Sequence, residues 1–82
     1  MSMYEIRILK KANKFIQSRN AKEKQRIYGA IYKLPYGTDI IKMQKFKNRY
    51  RLRIGGYRIT YEKDDDILVI KVIEADNRGD IY

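Results

Sequence analysis

The twelve residues YRLRIGGYRITY, from Tyr50 to Tyr61, specify a β-hairpin. Apolar and polar side chains alternate on both sides of Gly55-Gly56, as expected for two half-buried strands. Two glycines between alternating runs predict a two-residue turn, because both turn positions can take positive φ. A turn of this length also sets the strand register, and it places Arg53 directly opposite Arg58.

In this register the side chains of the two strands separate onto two faces. The apolar set is predicted to be buried under helices and comprises Tyr50, Leu52, Ile54, Tyr57, Ile59 and Tyr61. The other face carries Arg51, Arg53 and Arg58. Directly opposed like charges are unfavourable, and a face kept only for solubility normally mixes signs. Three arginines with no carboxylate among them predict an anion site, since guanidinium forks match phosphate oxygens.

The remaining chain predicts two helices and two further strands. Tyr4–Ile8 alternates with period two, whereas the apolar residues after Lys10 follow helical spacing. Asn20 and Glu23 are spaced as a capping box, which opens a second helix that Pro35-Tyr36-Gly37 ends. Other predicted segments are a turn at Asp64–Asp66, a central strand at Ile67–Glu74 and an irregular tail at Ala75–Tyr82. We expect a single α+β domain over residues 1–82, of order β-α-α-β-β-β. Its helix hairpin packs on one face of a small, mainly antiparallel four-stranded sheet.

Charge is concentrated in one part of the chain. There are 19 Lys and Arg against 10 Asp and Glu, a net charge of +9. The segment from Lys42 to Arg58 carries seven basic side chains and no acidic one. Such a field attracts polyanions, of which nucleic acid is the commonest in cells. Lys45, Lys47 and Arg49 therefore extend the predicted phosphate-binding set.

Several classes of protein are excluded by composition. The chain has no cysteine and no histidine, which excludes a disulfide framework, cysteine- or histidine-ligated metals and histidine-based hydrolases. We expect neither a metal nor a cofactor. The longest apolar stretch is far shorter than the roughly 20 residues that span a bilayer, and the N-terminus lacks a secretory signal. These features predict a cytoplasmic protein that does not bind membranes.

The hairpin sequence, the acidic turn, the apolar strand and the C-terminal NRGDIY together resemble the toxins of the RelE/ParE superfamily. These are the toxin halves of type II toxin–antitoxin pairs, and the resemblance covers essentially the whole chain. The RelE branch implies a metal-independent mRNA endoribonuclease that acts on the ribosome and inhibits translation. The resemblance also implies a cognate antitoxin, which would lay an acidic amphipathic helix over the basic site.

The resemblance assigns roles to individual residues. Its basic strand positions match Arg51 and Arg53, its hairpin arginine matches Arg58, and its C-terminal tyrosine matches Tyr82. In a cleavage by the RNA 2′-hydroxyl, Tyr82 is the candidate base, while Arg53, Arg58 and Arg78 stabilise developing charge. Family tails usually carry a basic pair where this chain has Asp76-Asn77, so we expect RNA binding to be retained and cleavage to be slow.

Two other functions remain open. A ParE-like toxin would act on DNA gyrase through protein contact and would not need arginines converging on one face. A small basic RNA- or ribosome-binding module would bind RNA in a salt-sensitive way but release no 2′,3′-cyclic phosphate.

Overall fold

The computed structural model describes residues 3–77, which form two helices and five strands. In chain order these are β1 (Glu5–Ile8), α1 (Lys10–Gln17), α2 (Ala21–Ile31), β2 (Ile40–Lys42), β3 (Arg49–Ile54), β4 (Tyr57–Asp64) and β5 (Val69–Asn77). The α+β class and the helix pair agree with the prediction. Within residues 3–77, no helix is long and apolar enough to cross a membrane.

The sheet has one more strand than predicted. Its order is β1-β5-β4-β3-β2, with β1 parallel to β5 and the other neighbours antiparallel. The prediction of four strands is therefore wrong, and the element that it missed is β2. Three residues are too few to show an alternating pattern, and β2 exists because it pairs with the edge of β3.

The end of β5 also differs from the prediction. An irregular tail was expected from Ala75 onward, but β5 continues to Asn77. Asp76 lies opposite Arg58, and Asn77 lies opposite Tyr57, so the partner strand holds this segment in the sheet. The predicted site residues Arg78 and Tyr82 lie outside the described residues.

The helices cover one face of the sheet. The Asn20 side-chain oxygen accepts a hydrogen bond from the Glu23 amide at 2.8 Å, which confirms the predicted cap of α2. α2 ends at Ile31, before the Pro35 that was expected to end it, and Tyr32 takes the C-cap position. The core joins residues of the helices and the turn that follows them to inner residues of β3, β4 and β5. Its members are Ala12, Ile16, Ile27, Ile31, Leu34, Leu52, Ile59, Tyr61, Ile70, Val72 and Ala75.

The β3–β4 hairpin has the predicted register. Arg53 pairs with Arg58, Leu52 with Ile59, and Tyr50 with Tyr61. Gly55 has φ of +54°, the left-handed region that residues with a Cβ avoid. A Cβ at Gly55 would also come within 2.8 Å of the Arg26 guanidinium, whereas a Cβ at Gly56 would meet nothing within 4 Å.

The two turn glycines are therefore not equivalent. We expect Gly55→Ala to lower the free energy of unfolding by about 1–2 kcal/mol, the cost of left-handed backbone for a residue with a Cβ. Gly56→Ala is the matched control and should change that free energy by less than about 0.5 kcal/mol. Urea denaturation followed by circular dichroism measures both, and equal effects would contradict this account of the turn.

Tyr61 makes the folded state sensitive to alkaline pH. Burial raises the pKa of its phenol from 10.0 to about 12, so the folded protein keeps a proton that the unfolded chain loses. The contribution is intact below pH 10 and is lost as pH rises toward 12. We expect Tyr61→Phe to reduce this loss by about 2 kcal/mol at pH 12, where the folded-state phenol is half ionised. The full difference, at roughly 1.4 kcal/mol per pKa unit, is about 3 kcal/mol.

Urea denaturation of the wild type and of Tyr61→Phe between pH 9 and pH 12 measures the difference. Tyr36→Phe is the control, because the Tyr36 side chain is exposed. If Tyr36→Phe weakens the alkaline loss as much as Tyr61→Phe does, burial of Tyr61 is not its cause.

Candidate functional site

The outer face of the sheet, opposite the helices, carries the arginines of the hairpin. Side chains alternate along β3, so Arg49, Arg51 and Arg53 share this face, and Arg58 of β4 lies directly across from Arg53. As the turn predicted, Arg51, Arg53 and Arg58 are brought together on one side of the sheet.

Arg53 and Arg58 are the middle members of a row of four charged side chains across the sheet. Asp39 immediately precedes β2, and its backbone oxygen accepts a hydrogen bond from the Arg53 amide at 3.0 Å. Its carboxylate accepts from Arg53 Nη2 at 2.8 Å and from Nε at 3.1 Å. On the other side, Asp76 of β5 accepts from Arg58 Nε and Nη2, both at 3.1 Å. We call Asp39, Arg53, Arg58 and Asp76 the ion-pair row.

The ion-pair row corrects one expectation from the sequence. Arginines with no carboxylate among them were predicted, and this is wrong for Arg53 and Arg58. The two carboxylates belong to the two parts of the sheet that the prediction missed. Asp39 immediately precedes the edge strand β2, and Asp76 lies near the end of β5. The row has no net charge, which also explains how two arginines are tolerated face to face.

Arg51 has different neighbours. It lies between Ile41 of β2 and Thr60 of β4, so both of its cross-strand neighbours are uncharged. Among residues 3–77 it makes no ion pair, and its Nε is buried without a hydrogen-bond acceptor. Arg51 is thus the arginine of the predicted set whose charge the described chain leaves uncompensated.

The segment between β2 and β3 adds cations beside Arg51. A shallow depression of about 270 Å³ is lined by Ile41, Lys42, Met43, Gln44, Lys45, Phe46 and Arg51. Neither Lys45 nor the nearby Lys47 has an ion-pair partner among the residues that the structure describes. The depression therefore combines uncompensated positive charge with an aromatic ring, the pairing that single-stranded nucleic acid favours.

Arg49 has a structural role as well. Its guanidinium stacks on the Phe46 ring, 4.0 Å from the centroid, and donates to Glu62 at 2.7 Å. The predicted phosphate-binding set thus divides into two groups. Arg51, Lys45 and Lys47 have no carboxylate partner among residues 3–77, whereas Arg49, Arg53 and Arg58 are each paired with a carboxylate.

A larger groove borders the ion-pair row. It has a volume of about 860 Å³ and lies between α2, the segment that follows α2, and β3. Its lining includes Arg26, Tyr32, Lys33 and Tyr36, together with Asp39 and Arg53 of the ion-pair row. Both tyrosines are exposed, so the groove offers aromatic surface together with positive charge.

Sequence reasoning missed Asp39 and Asp76 as members of the site. Asp39 precedes the β-branched pair Ile40-Ile41, which was the available signal for a short edge strand. Asp76 had no local signal, because its place in the sheet depends on pairing with β4. The predicted roles of Arg78 and Tyr82 stay predictions, since those residues lie outside the described part of the chain.

Comparisons with solved structures give the fold a class. The chain superposes on an archaeal RelE–RelB complex from Pyrococcus horikoshii OT3 with a TM-score of 0.81 and 28% identity, covering 95% of this chain and 98% of that one. It matches the isolated Escherichia coli RelE toxin with a TM-score of 0.78, at 15% identity and 95% and 87% coverage. For the RelBE2 toxin–antitoxin complex of Mycobacterium tuberculosis the TM-score is 0.70, at 17% identity and 92% and 98% coverage.

The architecture is therefore that of RelE toxins. This chain is a member of the RelE-like toxin superfamily, as the sequence resemblance predicted. No protein-family model matches the sequence, and a comparison with curated proteins found no match.

Arg51 is expected to contribute more to RNA binding than a basic residue elsewhere on the surface. Arg51→Gln should weaken the binding of a single-stranded RNA oligonucleotide and lower the salt slope of log K by about 0.7, the value for one lost phosphate contact. Lys22→Gln, on the exposed side of α2, removes the same charge and is the control. Fluorescence anisotropy over a salt series measures both slopes, and identical losses would show that net charge alone governs binding.

Proposed function

We propose that this protein is the toxin of a type II toxin–antitoxin system and that it cleaves mRNA on the ribosome. The observation that carries the proposal is a RelE-like fold whose outer face presents Arg51 beside a basic loop. The likeness to the isolated E. coli RelE toxin supports the toxin class. We also propose that residues 1–82 act as one toxin domain.

The reaction is an attack by the 2′-hydroxyl of RNA on the adjacent phosphorus. A base removes the proton of that hydroxyl, the bond from phosphorus to the 5′-oxygen breaks, and the 5′-oxygen takes up a proton. The products are a 2′,3′-cyclic phosphate and a 5′-hydroxyl. Arg51 is suited to hold the phosphate and to stabilise the negative charge that develops on it, because its guanidinium presents a planar fork of hydrogen-bond donors.

The C-terminal residues complete the proposed site. Tyr82 is the candidate base, provided that neighbouring guanidinium groups favour its ionised form, and Arg78 contributes charge rather than a proton. Arg53 and Arg58 lie beside Arg51 on the same face, and each guanidinium is paired with a carboxylate there. A site without histidine is expected to be slow on free RNA and to depend on the ribosome to position its substrate.

The cognate partner is an antitoxin with an acidic amphipathic helix. Solved relatives in the comparison are complexes of a RelE toxin with a RelB antitoxin, which supports such a partner for this chain. The groove beside α2 supports it as well, because Arg26 and Lys33 suit acidic side chains while Tyr32 and Tyr36 suit apolar ones. An amphipathic helix in a groove is a common mode of peptide recognition.

Cleavage is tested in a cell-free translation extract. The wild-type chain should stop reporter synthesis and leave mRNA fragments with 2′,3′-cyclic phosphate ends. Tyr82→Phe should slow the cleavage by at least about 100-fold, the lower range for loss of a general base. The control is Arg7→Gln, which changes an exposed residue of β1 at the far edge of the sheet from β2.

The same assay separates the alternatives. Intact translation combined with inhibition of gyrase supercoiling would favour a ParE-like activity. RNA binding without cyclic phosphate ends, on the ribosome or off it, would favour a binding module. Full cleavage by Tyr82→Phe would remove the tyrosine from the mechanism.

A further inference from the structure

The two carboxylates of the ion-pair row engage guanidinium donors of Arg53 and Arg58 that are also suited to a phosphate. Asp76 meets Arg58 through both of its oxygens, with Nε on Oδ1 and Nη2 on Oδ2, each at 3.1 Å. This two-pronged contact is how a guanidinium binds a phosphate. At Arg53, both Nε and Nη2 donate to the same oxygen of Asp39. Each arginine thus already holds a carboxylate on the edge of its guanidinium formed by Nε and Nη2.

These ion pairs are weak enough to be exchanged. The side chains of Arg53 and Asp39 are 37% and 44% exposed, and those of Arg58 and Asp76 are 37% and 42% exposed. Pairs at this exposure contribute little to stability, because water solvates both partners when they separate. A phosphate held close to the ion-pair row can therefore displace a carboxylate. Phosphate of free RNA at low concentration competes poorly with the carboxylate.

We propose that Asp39 and Asp76 are internal competitors of RNA phosphate, which keep Arg53 and Arg58 neutralised until a positioned RNA strand displaces the carboxylates. This proposal rests on the proposed function for the identity of the anion. It assigns Asp39 and Asp76 a positioning and specificity role: they weaken binding to free RNA and hold each guanidinium oriented for the substrate. A site with this property discriminates by local phosphate concentration, which is high where a ribosome fixes the strand.

The neighbouring row provides an internal comparison. Arg51 has Ile41 and Thr60 as direct cross-strand neighbours, and it makes no ion pair with a carboxylate among residues 3–77. Arg51, Lys45 and Lys47 then make the first contacts with RNA. Arg53 and Arg58 bind RNA only after phosphates have displaced their carboxylates. The carboxylates therefore affect the second stage of binding and not the first.

Isosteric substitution tests the competition directly. Asp39→Asn and Asp76→Asn keep the side-chain shape and remove the charge, so each should tighten binding to a single-stranded RNA oligonucleotide in the absence of ribosomes. The salt slope of log K should become steeper by about 0.7 for each arginine released, the increment expected for one added phosphate contact on a single strand. The double variant should show the sum of the two changes.

The matched control is Glu5→Gln. Glu5 pairs with Arg7 at 2.9 Å in β1, at the opposite edge of the sheet from β2, and removing its charge changes the net charge equally. A general charge effect would move the control and the two Asp variants alike, and that result would overturn the proposal. So would unchanged or weaker RNA binding by both Asp variants, which would mean that the carboxylates only orient their arginines.

The outcomes of this experiment distinguish failure of the competition from failure of the proposed function. Tighter RNA binding by the Asp variants, with no cyclic phosphate ends in the translation extract, would support the competition and reject the ribonuclease activity. Cleavage by the wild type, with salt slopes unchanged in the Asp variants, would support the ribonuclease and reject the competition. Failure of every variant to bind the oligonucleotide would reject the competition.

Discussion

The two-residue turn at Gly55-Gly56 is the constraint on which the rest of the site depends. Gly55 takes the left-handed conformation at φ +54°, and the turn then aligns β3 with β4 residue by residue. A slip of one residue would exchange the buried and exposed sets of both strands, because side chains alternate with a period of two. The same turn therefore places Tyr61 in the core and sets Arg53 against Arg58.

The positive charges of the opposed Arg53 and Arg58 need neighbouring negative charges, and the sheet provides one carboxylate on each side of the pair. Asp39 at the β2 edge and Asp76 on β5 neutralise the pair, so this row adds no net field. Positive charge is left at Arg51 and on the loop between β2 and β3, where neighbouring side chains are uncharged or basic. Part of the chain's net charge of +9 is thus concentrated at Arg51 and this loop, at a position set by pairing between strands.

Members of one superfamily with a common fold differ in their targets, so the fold defines the class and the side chains define the activity. The structural likeness to RelE toxins extends over 95% of this chain. Here the outer face retains basic groups suited to a phosphate, yet it also carries two carboxylates. That combination agrees with the function and the competition that we propose, in which free RNA binds weakly and RNA held by a ribosome binds well.

The sequence by itself determined the hairpin register, the cap of α2 and the side of the sheet that each arginine occupies. These features depend on residues close together in the chain, namely a turn of two glycines, a cap three residues from its partner and an alternation of period two. Only the tertiary structure decided what surrounds the arginines. Asp39 and Asp76 are 14 and 18 residues from their partners, and they arrive through a three-residue edge strand and a strand end without local signals. Pairing between distant segments depends on the assembled sheet, and no periodicity in a short window records it.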